Sequence, residues 1–168
     1  MNRIYLVQHG EAASKAVHPE RPLTDKGIAD ISAMARFLKQ GGVPIGRILH
    51  SGKLRAEQSA GILAQALTAG AAADAIKHIN PNDPVREFAG KLKHYGTDSL
   101  FVGHLPFMEK LVAYLVCGSE DCRSVAFTPG SVADDGANRT VRPRPGRTSA
   151  TGRNGRVGRV AMSYAPWR

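Results

Sequence analysis

Ile4-Tyr5-Leu6-Val7-Gln8-His9-Gly10-Glu11-Ala12 is the stretch on which the reading of this 168-residue chain turns. Residues 4–7 form a short apolar run with β-branched and aromatic content, closed off by polar residues. That is how a strand buried in a parallel sheet reads. Its carboxyl end turns polar and then conformationally permissive at Gln8, His9 and Gly10. In open α/β sheets, ligands bind just beyond the carboxyl ends of the strands. A histidine delivered there, beside a glycine that lets a ligand approach the backbone, is a candidate nucleophile. Taken alone, the same residues read as readily as a part-buried histidine closing a strand.

Outward from this stretch, residues 12–23 read as a loop, because His18-Pro19 and Arg21-Pro22 forbid regular helix. Thr24 is placed as an N-cap with Asp25 in the first turn, where negative charge suits the helix dipole. Ile28, Ile31, Met34, Ala35 and Leu38 then recur at helical spacing until Gly41-Gly42. A second strand is expected at 47–50, ending in His50-Ser51-Gly52, and a second helix over 53–67 with its stop at Gly70. A third strand is expected at 75–79, followed by the turn cluster Asn80-Pro81-Asn82-Asp83-Pro84. Residues 85–95 read as a third helix stopped by Gly96, and 99–102 as a fourth strand closing on Gly103-His104. Pro106 suits the first position of a fourth helix, whose Phe107, Leu111, Tyr114 and Leu115 share a face. A last strand over 124–132 is interrupted by Pro129-Gly130. Strands alternate with helices throughout, so the economical architecture is a three-layer α/β/α sandwich with a mostly parallel central sheet.

Bulk properties narrow the classes. The length is that of one domain able to bury a proper core. An aromatic share of 6% fits a small α/β domain better than a β-sandwich. No apolar run nears the roughly 18 residues of a membrane span, and the first residues lack the shape of a signal peptide. Cys117 and Cys122 are not a C-x-x-C pair and have no histidine cluster beside them, so reduced thiols in a cytoplasmic protein are expected. The formal net charge is +9, of which residues 134–168 carry +6. Basicity is therefore chiefly a property of the tail, and nucleic acid is not the expected partner of the body. Residues 138–159 are Arg, Gly, Pro, Thr and Ser with scarcely an apolar side chain, and disorder is expected there. Residues 160–167 regain apolar character and are a candidate for one more strand.

Three strand ends bring chemistry to one edge of the sheet: Gln8-His9-Gly10, Ser51 through Gln58, and Gly103-His104-Leu105-Pro106. Imidazole can accept a phosphoryl group, and an arginine fork matches phosphate oxygens in charge and geometry. Helix N-termini add backbone donors. Phosphoryl transfer asks mainly for positioning and stabilised oxygens, so such a set needs no metal or cofactor.

Val7-Gln8-His9-Gly10-Glu11-Ala12, Arg21-Pro22-Leu23-Thr24, Ser51-x-x-x-Arg55-Ala56-Glu57-Gln58-Ser59 and Gly103-His104-Leu105-Pro106 resemble, in order, the motifs of the histidine phosphatase superfamily. The Arg-Pro-Leu-Thr element and the insertion-poor chain resemble its SixA-type phosphohistidine phosphatase branch. Each motif is weak alone; four in order over residues 3–133 are a strong signal. The resemblance implies a phosphoglycerate mutase-like fold over 1–133, with 134–168 as a separate basic tail. It implies His9 as the phosphorylated nucleophile, with Arg55 and His104 catalytic and holding the phosphoryl group. Gln8 and Arg21 are implied as further phosphate ligands, Arg21 at the rim. Asp83, in the loop after the third strand where such phosphatases often place their acid, is the candidate general acid, with Glu11 and Glu57 the other nearby carboxylates. The expected substrate is a phosphohistidine-containing signalling protein, met by a cytoplasmic monomer. A small-molecule phosphomonoesterase and a degenerate phosphate-binding module stand as alternatives.

Two features depart from the family pattern. Gln8 stands where the family's first motif has arginine, which keeps an N–H donor but loses the cation and the fork. The family's closing hairpin is replaced, after 129–132, by the basic tail.

Overall fold

The computed structural model describes residues 2–96, 98–122, 127, 129 and 162–164. Five strands form one sheet: β1 (Asn2–Gln8), β2 (Arg47–His50), β3 (Asp74–Ala75), β4 (Ser99–Gly103) and β5 (Met162–Tyr164). Their order is β3-β2-β4-β1-β5, with the first four parallel and β5 antiparallel to β1. The helices are α1 (Asp25–Gln40), α2 (Leu54–Leu67), α3 (Val85–Lys91), continued by a 3-10 turn at Leu92–Tyr95, and α4 (Phe107–Cys117).

Strand side chains alternate between faces, and two cores follow from that alternation. Tyr5, Val7, Ile48, Leu100 and Val102 meet Ile31, Met34, Leu38, Ala60 and Leu63 of α1 and α2. Ile4, Leu6, Leu49 and Phe101 meet Phe88 of α3 and Phe107, Met108 and Leu111 of α4 on the other face. The expected three-layer sandwich is thus the observed one.

The first helix begins as read. Thr24 takes the N-cap position, its hydroxyl accepting the Gly27 N–H at 3.0 Å. The same residue ties the loop after β1 to the helix, since its N–H donates to the Glu11 carbonyl at 3.0 Å. Ile28 does not join the core; it is 44% exposed. Gly27 takes the buried place instead, because a Cβ there would collide with the Glu11 backbone.

Two expectations are corrected. The third strand covers only Asp74–Ala75 rather than 75–79. His78 at φ 69° turns the chain out of extended conformation, and Ile79 is buried from a loop. The cysteines are not free thiols: Cys117 and Cys122 form a disulfide. Gly118, left-handed at φ 73°, ends α4 and reverses the chain, returning Cys122 to a Cα–Cα distance of 6.3 Å. A motif scan that looks for C-x-x-C misses this turn.

The expected strand over 124–132 lies outside the described residues apart from Phe127, which is buried in the α3–α4 core, and Pro129. Most of the tail lies outside them too. Within 160–167, β5 runs beside β1 in the register Asn2–Tyr164, Arg3–Ser163, Ile4–Met162.

Candidate active site

His9, Ser51 and His104 follow the carboxyl ends of β1, β2 and β4, which are neighbours in the sheet. Arg55 stands in the first turn of α2, one turn after Ser51. The strand-end rule therefore brings together residues nearly a hundred positions apart.

His9 is anchored by its backbone N–H, which donates to the Gly103 carbonyl at 3.1 Å. Its Nδ1 lies 2.7 Å from the Gly10 carbonyl. A carbonyl only accepts, so Nδ1 carries the proton and Nε2 keeps the lone pair. Arg55 Nε donates to that Nε2 at 3.1 Å. Burial, opposed by the Gly10 hydrogen bond and aided by the charges of Arg55 and Arg21, lowers the pKa of His9 to about 4. The ring is neutral at pH 7, the form a nucleophile requires.

His104 is 1% exposed. Its ring centroid lies 4.9 Å from that of His9, at an interplanar angle of 58°. Nε2 is 2.6 Å from Ser51 Oγ, whereas Nδ1 has no hydrogen-bond partner among the described residues. Burial first, then the His9, Arg55, Lys53 and Arg21 charges, lower its pKa to about 3.

Ser59 holds the other half of the site in place. Its hydroxyl accepts the Gly10 N–H at 3.1 Å and donates to the Arg55 carbonyl at 2.7 Å. Gln58 Oε1 accepts the Leu23 N–H at 2.7 Å, joining α2 to the loop that carries Arg21. Arg21 sits in left-handed backbone at φ 55°, with its Nε donating to the Ala13 carbonyl at 3.0 Å. Its charge acts on His9, Arg55 and His104, so it belongs to the same electrostatic neighbourhood. The Arg55 pKa is lowered by burial and by Arg21.

Gln8 is buried, and its Oε1 has no hydrogen-bond partner among the described residues. Asp83 is not joined to the three core residues by any hydrogen bond or ion pair among those described. Its Oδ2 instead accepts the Asn80 N–H at 2.7 Å and closes its own turn. Glu11 is engaged with Thr24 and Lys26, and Glu57 is exposed. The charges that act on the two rings are cationic, which suits an anion. The roles of Ser51 and Ser59 were not read from the sequence. Ser59 lies one helical turn beyond Arg55, a spacing that could have suggested its contact.

A family model, the histidine phosphatase superfamily (branch 1), matches residues 4–78. The phosphohistidine phosphatase SixA of Escherichia coli K12 is 33% identical over 121 residues, covering 69% of this chain and 75% of that one. The chain belongs to the histidine phosphatase superfamily.

Among solved structures, the protein histidine phosphatase SixA complexed with tungstate superposes with a TM-score of 0.68 at 27% identity, over 84% of this chain and 94% of that one. The alpha-ribazole phosphatase of Shigella flexneri shares the fold, with a TM-score of 0.63 at 16% identity, over 88% and 100% of the two chains. The chain is therefore a SixA-type member with a phosphoglycerate mutase-like fold and a phosphatase by class. No described helix is long and apolar enough to cross a membrane.

Proposed function

We propose that this SixA-type phosphatase hydrolyses phosphohistidine on a protein through a phospho-His9 intermediate. The observation that carries the reading is the tautomer of His9. Its proton is tied to the Gly10 carbonyl, and its free Nε2 meets the Arg55 guanidinium. The related SixA is a complex with tungstate, a tetrahedral oxyanion of phosphate's shape, which supports an oxyanion as the kind of ligand this fold takes.

The chemistry proceeds in two displacements. His9 Nε2 attacks phosphorus as the N–P bond of the substrate breaks. The substrate ring, protonated on its other nitrogen, leaves as neutral imidazole, so the first step needs no strong acid from the protein. His9 becomes an N-phosphorylated imidazolium whose Nδ1–H remains bonded to Gly10. Arg55 and His104 hold the phosphoryl oxygens through the transition state. Water then attacks phosphorus, inorganic phosphate departs, the water proton passes to phosphate or solvent, and neutral His9 is restored. Arg21 serves at the rim.

A protein substrate is favoured because β2 and α2 are joined by Ser51-Gly52-Lys53 alone, with no insertion there to roof the pocket. Cytoplasmic action as a monomer belongs to the same proposal. The second reading, a phosphate-binding module with little turnover, is favoured by one observation, the buried Gln8 in place of a cation.

The test is alkaline, denaturing quench of the enzyme with a 32P-phosphohistidine protein, since the histidine phosphoramidate survives base and not acid. Label should appear on the wild type and vanish in His9→Ala. Turnover with no label at His9 overturns the intermediate, and binding without turnover selects the module. Faster turnover of sugar phosphates selects the small-molecule reading.

A further inference from the structure

Ser51 and His104 leave the ends of β2 and β4, adjacent strands in register at His50–Val102. Across that gap Ser51 Oγ and His104 Nε2 are 2.6 Å apart. The turn beyond Ser51 is held by Gly52, left-handed at φ 79°, whose N–H donates to His50 Nδ1 at 3.2 Å. His104 is almost wholly buried, and its Nδ1 has no partner among the described residues. A buried polar nitrogen left unpaired is costly unless a ligand completes it.

We propose that Ser51 is a positioning residue that donates its hydroxyl proton to His104 Nε2 and so fixes the ring proton on Nδ1. The inference deepens the phosphoryl-transfer reading and rests on it. A neutral imidazole carries one proton for two nitrogens, and the hydrogen bond at one decides the other. With Nε2 accepting from Ser51, Nδ1–H is a donor for an oxygen of the transferring phosphoryl group. With the proton on Nε2, Nδ1 would set a lone pair against an anion. A neutral imidazole N–H that polarises an oxyanion is a known catalytic device. Ser51 thus acts on the reaction through His104 and touches no reacting atom.

The test has a spectroscopic arm and a kinetic arm. Ring 15N shifts of His104 are measured in the protein free and saturated with inorganic phosphate. The expected result is a protonated Nδ1 and an unprotonated Nε2 in the phosphate-bound wild type, and a mixture of tautomers in Ser51→Ala. A proton on Nε2 in that wild-type complex overturns the proposal. In turnover of a phosphohistidine protein, Ser51→Ala should lose about 10- to 100-fold in kcat, the usual scale for removing a group that orients another. KM should change little, and Ser51→Thr, which keeps the hydroxyl, should recover most of the loss. An undiminished Ser51→Ala, or a Thr variant as poor as Ala at an unchanged melting temperature, also overturns it. The spectra need no turnover, so they judge the tautomer even if labelling of His9 fails and the functional reading falls.

Discussion

Arg55 Nε lies 3.1 Å from His9 Nε2 and donates to the lone pair that the proposed attack must use. The guanidinium therefore covers His9 Nε2, and under the proposed mechanism an incoming phosphoryl group would exchange ring nitrogen for phosphate oxygens as the partner of Arg55. The swap suits Arg in particular, whose planar fork can pair with two oxygens while a lysine offers only a point charge. Arg55→Ala should lower kcat by about 10²- to 10³-fold, the scale of losing a preorganised oxyanion donor. Arg55→Lys should recover only a small part of that. Steady-state turnover of a phosphohistidine protein checks both, and a Lys variant equal to wild type would show that the fork is not used.

Gln8 should be the site at which activity can be gained. Its buried Oε1 finds no partner among the described residues, and the amide brings no cation to the side chains proposed to bind the phosphoryl group. A hydrogen bond to a charged group contributes about 1.5–3 kcal/mol, so Gln8→Arg should raise turnover by roughly 10- to 200-fold. A fall in turnover would mean that the surrounding residues have adapted to glutamine. The substitution also separates a weakened enzyme from a binding module, since only the first has a rate to restore.

The two histidine rings should set the acid limb of activity. The His9 pKa of about 4 keeps the proposed nucleophile unprotonated well below the ordinary histidine range. After correction for substrate ionisation, kcat/KM should hold to about one pH unit above that value and fall below it, since this ratio reports the free enzyme. Stability follows the same sign. Both rings titrate near 6.5 when unfolded and lower when folded, so between those values the unfolded chain binds more protons. The contribution is present above pH 6.5 and is lost as pH falls toward 3. Melting temperature measured from pH 7.5 to 4 should drop less in the double variant His9→Gln, His104→Gln than in the wild type.

Close packing beside His9 gives a further expectation. A Cβ on Gly10 would stand 2.8 Å from the Gly27 carbonyl oxygen, and one on Gly27 would meet the Glu11 backbone. Gly27→Ala, although it favours helix by intrinsic propensity, should therefore destabilise the protein by about 1–3 kcal/mol, the scale of overpacking. Chemical denaturation measures this. A gain in stability would show that the loop after β1 yields easily.

How much of this was legible depends on whether the signal was local. The apolar run of β1 and the polar residues at its end stand together in sequence, and the same holds at β2 and β4. Parallel order then places His9, Ser51 and His104 on one edge without any knowledge of contacts. Thr24 declared its helix because an N-cap is a one-turn interaction. Ser51 paired with His104 was not legible, since 53 positions separate them and only the sheet register joins them. The disulfide depends on one left-handed glycine, and the short β3 on one left-handed histidine at position 78. Glycine permits the first conformation without dictating the chain's return, and nothing in the histidine residue type announces the second. Asp83 was offered as an acid from the position of its loop after the third strand, and the turn it closes with the Asn80 N–H, three residues back, is a contact that the residue type allows but does not announce.

The last expectation concerns the edge of the sheet beside the nucleophile's strand. β5 pairs with Asn2, Arg3 and Ile4 on the side of β1 that β4 does not cover. The boundary between domain and basic tail drawn from sequence at position 133 leaves that strand on the tail side. A chain ended after Ala133 would leave the outer backbone groups of β1 open to pairing with another chain. It should melt at a lower temperature and form larger species on gel filtration, while retaining turnover in the fraction that stays monomeric, because the strand ends that carry His9 and His104 lie at the other end of β1 and β4. A truncated protein with unchanged melting temperature and size would show that β5 contributes nothing to the sheet and that residues 134–168 are dispensable to the fold.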